Sequence, residues 1–310
     1  MKILLCPLNW GLGHATRCVP VIHKLLKENN EVVIAADGFP LEFLHQQFPD
    51  LKFIELKSYS VFYSSGKTQF FSMLKSIPHI LTGIRKEHIW LNKLLEKEHF
   101  DQVISDNRFG LWTKKTHCIY ITHQLMIKMP RSLKWLEPLV WLIHRSVIHR
   151  FNECLIPDFE GRPNLSGDLS HKYRLPRQAK FIGPLSRFQG MSIIPDNKFE
   201  VIGIISGLEP QRSIFENFLI ERFKNENLKT LLVCGQPQDK IIERQVGNIK
   251  LISHLPDNEL AAFLTGSVKI IARSGYSTIM DLQALDCLHK AEFIPTPGQT
   301  EQEYLSCLHA

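Results

Sequence analysis

The chain has no CxxC pair and no Cys/His spacing of the kind that holds zinc, and its seven cysteines are scattered. That excludes a zinc ribbon and a disulfide framework, and it leaves Cys6, Cys18, Cys118, Cys154, Cys234, Cys287 and Cys307 as reduced, buried thiols of a cytoplasmic protein. No stretch of roughly 18 residues runs without charge or strong polarity, so no spanning helix is expected. The apolar start from Met1 to Cys6 is too short for a signal peptide and gives way to Gly11 and Gly13. There is no DxD pair to hold a divalent ion, and no short repeat or low-complexity tract. Charge of one sign is not in large excess: 37 Lys and Arg against 31 Asp and Glu leave +6 on 310 residues. Such a balance suits phosphate-bearing ligands or an anionic membrane surface. The basic residues are interspersed with acids and form no aromatic-basic stripe, so nucleic acid is not an expected partner.

What is present is a globular composition, 44% hydrophobic and 22% charged, on a chain long enough for two domains. Short apolar runs alternate with helical patterns in both halves, the grammar of parallel sheets covered by crossover helices. The first half carries strand patterns at Lys2 to Pro7, Glu31 to Ala36, Lys52 to Leu56, Gln102 to Ser105, Cys118 to Thr122 and Glu153 to Ile156. Val19, Ile22 and Leu26 recur at helical spacing, which predicts a helix from about Gly13 and His14. The pattern pauses around Phe181 to Leu185, and a polar stretch with Gly190, Pro195 and Asp196 follows. The expected division is therefore 1–187 and 188–310. The second half restarts with strands at Val201 to Ser206, Thr230 to Cys234, Ile249 to Ile252, Lys269 to Ala272 and Glu292 to Ile294. Helices are expected at Gln211 to Lys224, Asp257 to Leu264 and Ser277 to Leu285. The fold class is thus α/β, two Rossmann-like domains whose strand carboxyl ends face a ligand cleft.

Three loops carry the chemistry. Gly11-Leu12-Gly13-His14, with Thr16 and Arg17, joins the first strand to the first helix, where glycines admit a ligand to the backbone and free amides favour an anion. His14 there is either a catalytic or ligand-binding residue at the cleft, or a capping or core histidine. Ser206, Gly207 and Arg212 mark the matching turn of the second domain, able to hold a diphosphate or to be an ordinary loop with a solvated arginine. The third loop is Arg273-Ser274-Gly275-Tyr276-Ser277-Thr278, with Asp281 one turn further on. Its amides and hydroxyls at a helix N-terminus suit a phosphate, and the Asp281 carboxylate suits ribose hydroxyls. A polar loop holding Gln299, Gln302 and Glu303 follows one strand later.

The loop after Arg273 and the polar loop to Tyr304 resemble the donor-binding half of family 28 glycosyltransferases, the family of the lipid-linked N-acetylglucosaminyl transferase MurG. The first glycine loop resembles that family's acceptor-side loop, which would give Gly11, Gly13, Thr16, Arg17 and His123 an acceptor-side role. The resemblance implies the GT-B arrangement and a nucleotide-sugar donor, UDP-linked and perhaps UDP-GlcNAc, with no cofactor and no metal. Ser274, Gly275 and Thr278 would then lie near the diphosphate, Asp281 at the ribose, and Gln302 with Glu303 at the donor sugar. Glu303 stands where the family has a second glutamine, and the glycine run is leaner than usual. The chain stops at Ala310, soon after Tyr304, so an incomplete second domain is expected from the family pattern.

Under that resemblance the sugar is transferred with inversion, and the acceptor hydroxyl needs a base for which a near-neutral imidazole is suited. His14 is the first candidate, Asp106 in Ser105-Asp106-Asn107 the second, and His123 the third, each ending a strand. Preorganised amides with Arg212 or Arg273 would stabilise the leaving diphosphate. A nucleotide-sugar hydrolase would use His14 to activate water instead, a sugar 2-epimerase shares the two-domain plan, and a non-catalytic nucleotide-sugar-binding protein would need only the donor loops. The acceptor stays unassigned. From Arg131 to Phe151, nine apolar residues including Trp135, Leu139 and Ile143 are combined with Arg131, Lys134, Arg145 and Arg150. That is either a basic amphipathic helix lying on an anionic membrane, peripheral on its inner face, or a core helix with a solvated basic edge.

Overall fold

The structure is a computed structural model that describes residues 1–59, 69–238 and 240–310. Its first half runs β1 (Lys2–Pro7), α1 (Gly13–Lys27), β2 (Glu31–Ala36), α2 (Gly38–Gln47), β3 (Lys52–Glu55), α3 (Gln69–Leu95), β4 (Gln102–Asp106), β5 (His117–Ile121), α4 (Glu137–Ile148), β6 (Glu153–Ile156), α5 (Asp168–His171) and β7 (Ala179–Phe181). Among the described residues these strands form a sheet in the order β3-β2-β1-β4-β5-β6-β7, every pair parallel. The strands are near-continuous apolar runs because helices cover both faces. Ile3, Leu5 and Ile34 pack under α1 and α2, while Leu4, Cys6 and Val33 pack on the opposite face with Leu91 of α3.

The second half runs β8 (Val201–Ile204), α6 (Gln211–Phe223), β9 (Thr230–Val233), β10 (Glu243–Val246), β11 (Ile249–Ile252), α7 (Asp257–Gly266), β12 (Lys269–Ala272), α8 (Tyr276–Ala284), β13 (Ala291–Phe293) and α9 (Thr300–Leu308). Its sheet order is β10-β11-β9-β8-β12-β13, parallel except for β10 on β11. The doubly wound architecture expected from the sequence is present in both halves.

In each sheet the strand order reverses between two neighbours, β1 and β4 in the first and β8 and β12 in the second. Crossovers leave such points in opposite directions, which opens a crevice at the carboxyl ends of the strands. The loop before α1 and the end of β4 at Asp106 flank the first crevice. The turn after β8 and the loop from Arg273 to Gly275 flank the second. The halves meet along a seam in which Leu165 and Leu169 pack on Tyr276, Ile279 and Met280 of α8 and on Leu305 of α9.

Three features differ from the sequence reading. Helices α2, α3, α5 and α9, the three-residue β7 and the edge strand β10 were not expected, and α9 lies where the sequence was read as a polar loop, so Gln302 and Glu303 stand on a helix. Cys307 is exposed, while the other six cysteines are buried as expected. The stretch after Met129 is neither a single helix nor a core element. A short 3-10 turn at Arg131–Leu136, with Trp135 exposed, leads into α4, which buries His144 and Ile148 and leaves Leu139, Leu142 and Ile143 exposed.

Candidate active site

Both crevices open into one cavity of about 540 Å³. The first half contributes Gly11, Gly13, His14, Thr16, Arg17 and His123 to its wall. The second half contributes Ser206, Gly207, Gly275, Ser277, Thr278 and Asp281, and the start of α9 adds Gln299, just before it, and Gln302. Two helix N-termini, of α1 and α8, meet here from opposite halves, so their free amides and dipoles point at the same space. The approach is close enough that a Cβ on Gly13 would run into the Ser277 hydroxyl. Gly11 and Gly207 hold φ of 99° and 108°, backbone that side-chain-bearing residues rarely adopt.

Behind the first wall lies a buried polar cluster. Asp106 is fully buried at the end of β4, and Arg17, one turn along α1 from His14, donates Nε to both its oxygens at 2.9 Å. The guanidinium also bonds Asp106 through Nη2, reaches His14 Nδ1 at 2.9 Å, and reaches His123 Nδ1 through Nη1 at 3.0 Å. His14 Nδ1 is 3.2 Å from Asp106 Oδ2, which leaves Nε2 without a protein partner among the described residues. Burial would raise the Asp106 carboxyl, but Arg17 and His14 outweigh it and hold it at about 2. Burial and the Arg17 charge push His14 below its ordinary value, against the pull of Asp106, so the imidazole is neutral near pH 7.

On the opposite wall Asp281 accepts a 2.7 Å bond from Ser186 Oγ, and burial pushes its carboxyl up to about 6 despite Arg187 nearby. Arg187 lines the cavity and donates Nη1 to Asp257 at 2.8 Å. Its Nε is buried without a hydrogen bond, 3.5 Å from Asp281 Oδ2.

Five residues singled out in the sequence do not line this cavity. Arg212 is drawn into ion pairs with Glu209, just before α6, and with Glu216 on its own helix. Arg273 is buried behind β13, donating to the carbonyls of Ile294 and Pro295 and stacking 4.1 Å over Phe215, and burial lowers it to about 10. Ser274 spends its hydroxyl on the Gln302 carbonyl, and Glu303 is exposed and accepts from Gly298 N–H. Asp106 is brought to the site only through His14 and Arg17.

Two of the cavity residues that the sequence reading missed bear on the chemistry. Glu301 stands beside Gln302 and accepts from His123 Nε2 at 2.7 Å across the cleft. Its place in the polar loop was the available signal. Arg187 follows the stretch read as a boundary, where a lone arginine among loop residues carries no pattern.

With this geometry in view, the fold is GT-B. No family model matches the chain. An uncharacterized glycosyltransferase of Methanosarcina acetivorans is 24% identical over 323 residues, covering 98% of this chain and 82% of the relative. The glycotransferase of kitacinnamycin superposes with a TM-score of 0.60 at 13% identity, covering 99% of this chain and 83% of that structure. Arabidopsis thaliana UGT89C1 complexed with UDP-L-rhamnose superposes with a TM-score of 0.59 at 13% identity, covering 99% and 82%. The relatives are thus named for the enzyme class expected from the sequence.

Proposed function

We propose that this protein is an inverting, metal-independent glycosyltransferase, akin to family 28, that moves a sugar from a UDP-linked donor to a hydroxyl acceptor. The observation that carries the reading is the pairing of cavity walls. A neutral histidine backed by a buried aspartate faces a helix N-terminus that has a carboxylate one turn in. The base-competent tautomer is the one in which His14 gives up accepting from Arg17 Nη2 at Nδ1, carries its proton there toward Asp106 3.2 Å away, and leaves the Nε2 lone pair toward the cavity. Nε2 takes the proton of the acceptor hydroxyl as its oxygen bonds to the anomeric carbon. The bond from that carbon to the diphosphate breaks on the far side, and the electron pair leaves with the phosphate oxygen. Amides of Gly275 to Thr278 and the Arg187 guanidinium receive the growing negative charge. Asp281 accepts hydrogen bonds from the ribose, and Gln302 lies toward the sugar.

Calorimetric titration with UDP, UDP-sugars and GDP-sugars tests this. UDP-sugar binding lost in Asp281→Ala and kept in His14→Ala supports it, and a folded protein that binds no nucleotide refutes it. Turnover is expected to survive a chelator, and sugar released from the donor without any acceptor would instead mark a hydrolase. The exposed face of Trp135, Leu139, Leu142 and Ile143, rimmed by Arg131 and Lys134, favours a lipid-linked acceptor met at an anionic membrane surface.

A further inference from the structure

The three nitrogens of the Arg17 side chain serve three partners, and one of those links leads out of the first half. An arginine can only donate, so His123 Nδ1, 3.0 Å from Nη1, accepts. With Nδ1 accepting, His123 Nε2–H donates to Glu301 Oε1 at 2.7 Å, on the first turn of α9. The ring is only 6% exposed and is clamped further by stacking on Tyr276 of α8, with centroids 4.1 Å apart and planes 5° apart. Both ring nitrogens are thus engaged, which removes His123 from the candidate bases. Burial would raise the Glu301 carboxyl, but His123 outweighs it and keeps it ionised. One carboxylate oxygen is held by His123, the Gln124 side chain is a second hydrogen-bonding neighbour of the carboxylate, and the residue lines the cavity.

We propose that His123 is a positioning residue: by joining Arg17 to Glu301 across the cleft it fixes the Glu301 carboxylate against the hydroxyls of the donor's sugar. This rests on the nucleotide-sugar reading above and assigns the groups that recognise the sugar as distinct from the nucleotide. The bond from the buried His123 ring is charge-assisted, so it limits where the second carboxylate oxygen can stand. Sugar hydroxyls donating to that oxygen find it preorganised instead of having to order it on binding. Arg17, shared by Asp106, His14 and His123, makes sugar recognition in one half and the base in the other depend on a single buried cation.

The test is titration calorimetry of the full chain with UDP and with a set of UDP-sugars, for the wild type and for His123→Ala, His123→Asn, His123→Gln and Glu301→Gln. Expected is a preference of the wild type for one UDP-sugar over UDP. His123→Ala and Glu301→Gln should lose roughly 10-fold of that preference, as for a charge-assisted hydrogen bond, while UDP affinity stays unchanged. A glutamine amide can take the place of Nε2 and an asparagine amide only that of Nδ1, so His123→Gln should keep more of the preference than His123→Asn. Equal losses for UDP and UDP-sugar would reduce His123 to a packing role and overturn the proposal, as would a preference untouched by its removal. A wild type that binds UDP-sugars but no tighter than UDP would also overturn it, leaving the nucleotide reading in place. A wild type that binds neither would remove both.

Discussion

The backbone of Gly13 and the hydroxyl of Ser277 touch across the cleft, each at the N-terminus of a helix from a different half. No side chain fits between them. Gly13→Ala is expected to force the helices apart and to weaken nucleotide binding by about 1–3 kcal/mol, the usual cost of overpacking. Adding Ser277→Ala removes the colliding hydroxyl and leaves a Cβ contact of 3.2 Å, so the double variant should recover part of the loss. A double-mutant cycle measured by UDP titration decides it. Strict additivity would mean that the contact is not what limits the approach.

Asp281 sets stability against binding. Its folded-state pKa, about 6, lies above the ordinary carboxylate value, so the native protein binds more protons than the unfolded chain between roughly pH 4 and 6. Stability therefore falls as pH rises through that window, and the full cost is present at pH 7. Asp281→Asn keeps an oxygen for Ser186 and sheds the buried charge, so it should raise the midpoint of thermal unfolding at pH 7.5 by the equivalent of up to ~3 kcal/mol. The same variant should lose nucleotide affinity. A variant less stable than wild type at pH 7.5 would refute the burial argument.

His14 gives the pH dependence of catalysis. Because burial and Arg17 hold it below its ordinary value, it stays neutral down to lower pH than a free histidine. The rate under saturating donor should thus be flat around pH 7 and fall on the acid side, with its midpoint below about 6.5. His14→Ala should cut turnover by roughly 100-fold or more while leaving UDP affinity near the wild-type value. Asp106→Asn differs in kind, since it strands the Arg17 cation without a counter-charge, and a loss of about 3–5 kcal/mol in stability is expected.

The 131–148 face supplies a binding prediction. Co-sedimentation with vesicles rich in anionic lipid should be strong at low salt and weaken as salt rises, because the rim is basic and the centre apolar. Leu139→Glu together with Ile143→Glu should reduce it by at least about 10-fold, since both side chains are exposed and touch little of the core. Equal sedimentation of wild type and double variant would dismiss the membrane.

The parts of the fold legible in the sequence were those buried on both sides. Lys2 to Pro7, Glu31 to Ala36 and Ile249 to Ile252 announce themselves as strands because two helical layers demand apolar residues at nearly every position. By contrast, β10 is an exposed antiparallel edge with the sequence Glu-Arg-Gln-Val, and nothing in its composition requires a strand. The helical period of α3 is blurred by Ile77, Leu81 and Ile89, apolar residues on its exposed side, and by Pro78 within it. At the site, glycine loops and helix starts betrayed His14, Ser277 and Asp281, because backbone geometry is local. Arg212 and Arg273 could not be judged the same way, since what neutralises or buries them comes from Glu216, Phe215 and Pro295. The His123 to Glu301 bond joins residues 178 positions apart, and only the assembled halves reveal it.

Helix α9 follows the last strand of the second sheet and is tied to that half through Ser274 and Thr296 at Gln302, yet other bonds run the other way. Thr300 donates to the Lys128 carbonyl, Tyr304 accepts from the Asp168 amide, and His309 lies 2.8 Å from the Leu165 carbonyl. The consequence concerns turnover. If the cleft widens to exchange ligands, α9 either breaks these links together with the His123 bond or travels with the first half, releasing Ser274 from Gln302 and flexing the short Pro295 to Gln299 connection. In the second case Glu301 and Gln302 leave the nucleotide and stay with the base, so sugar and nucleotide are parted by the opening itself.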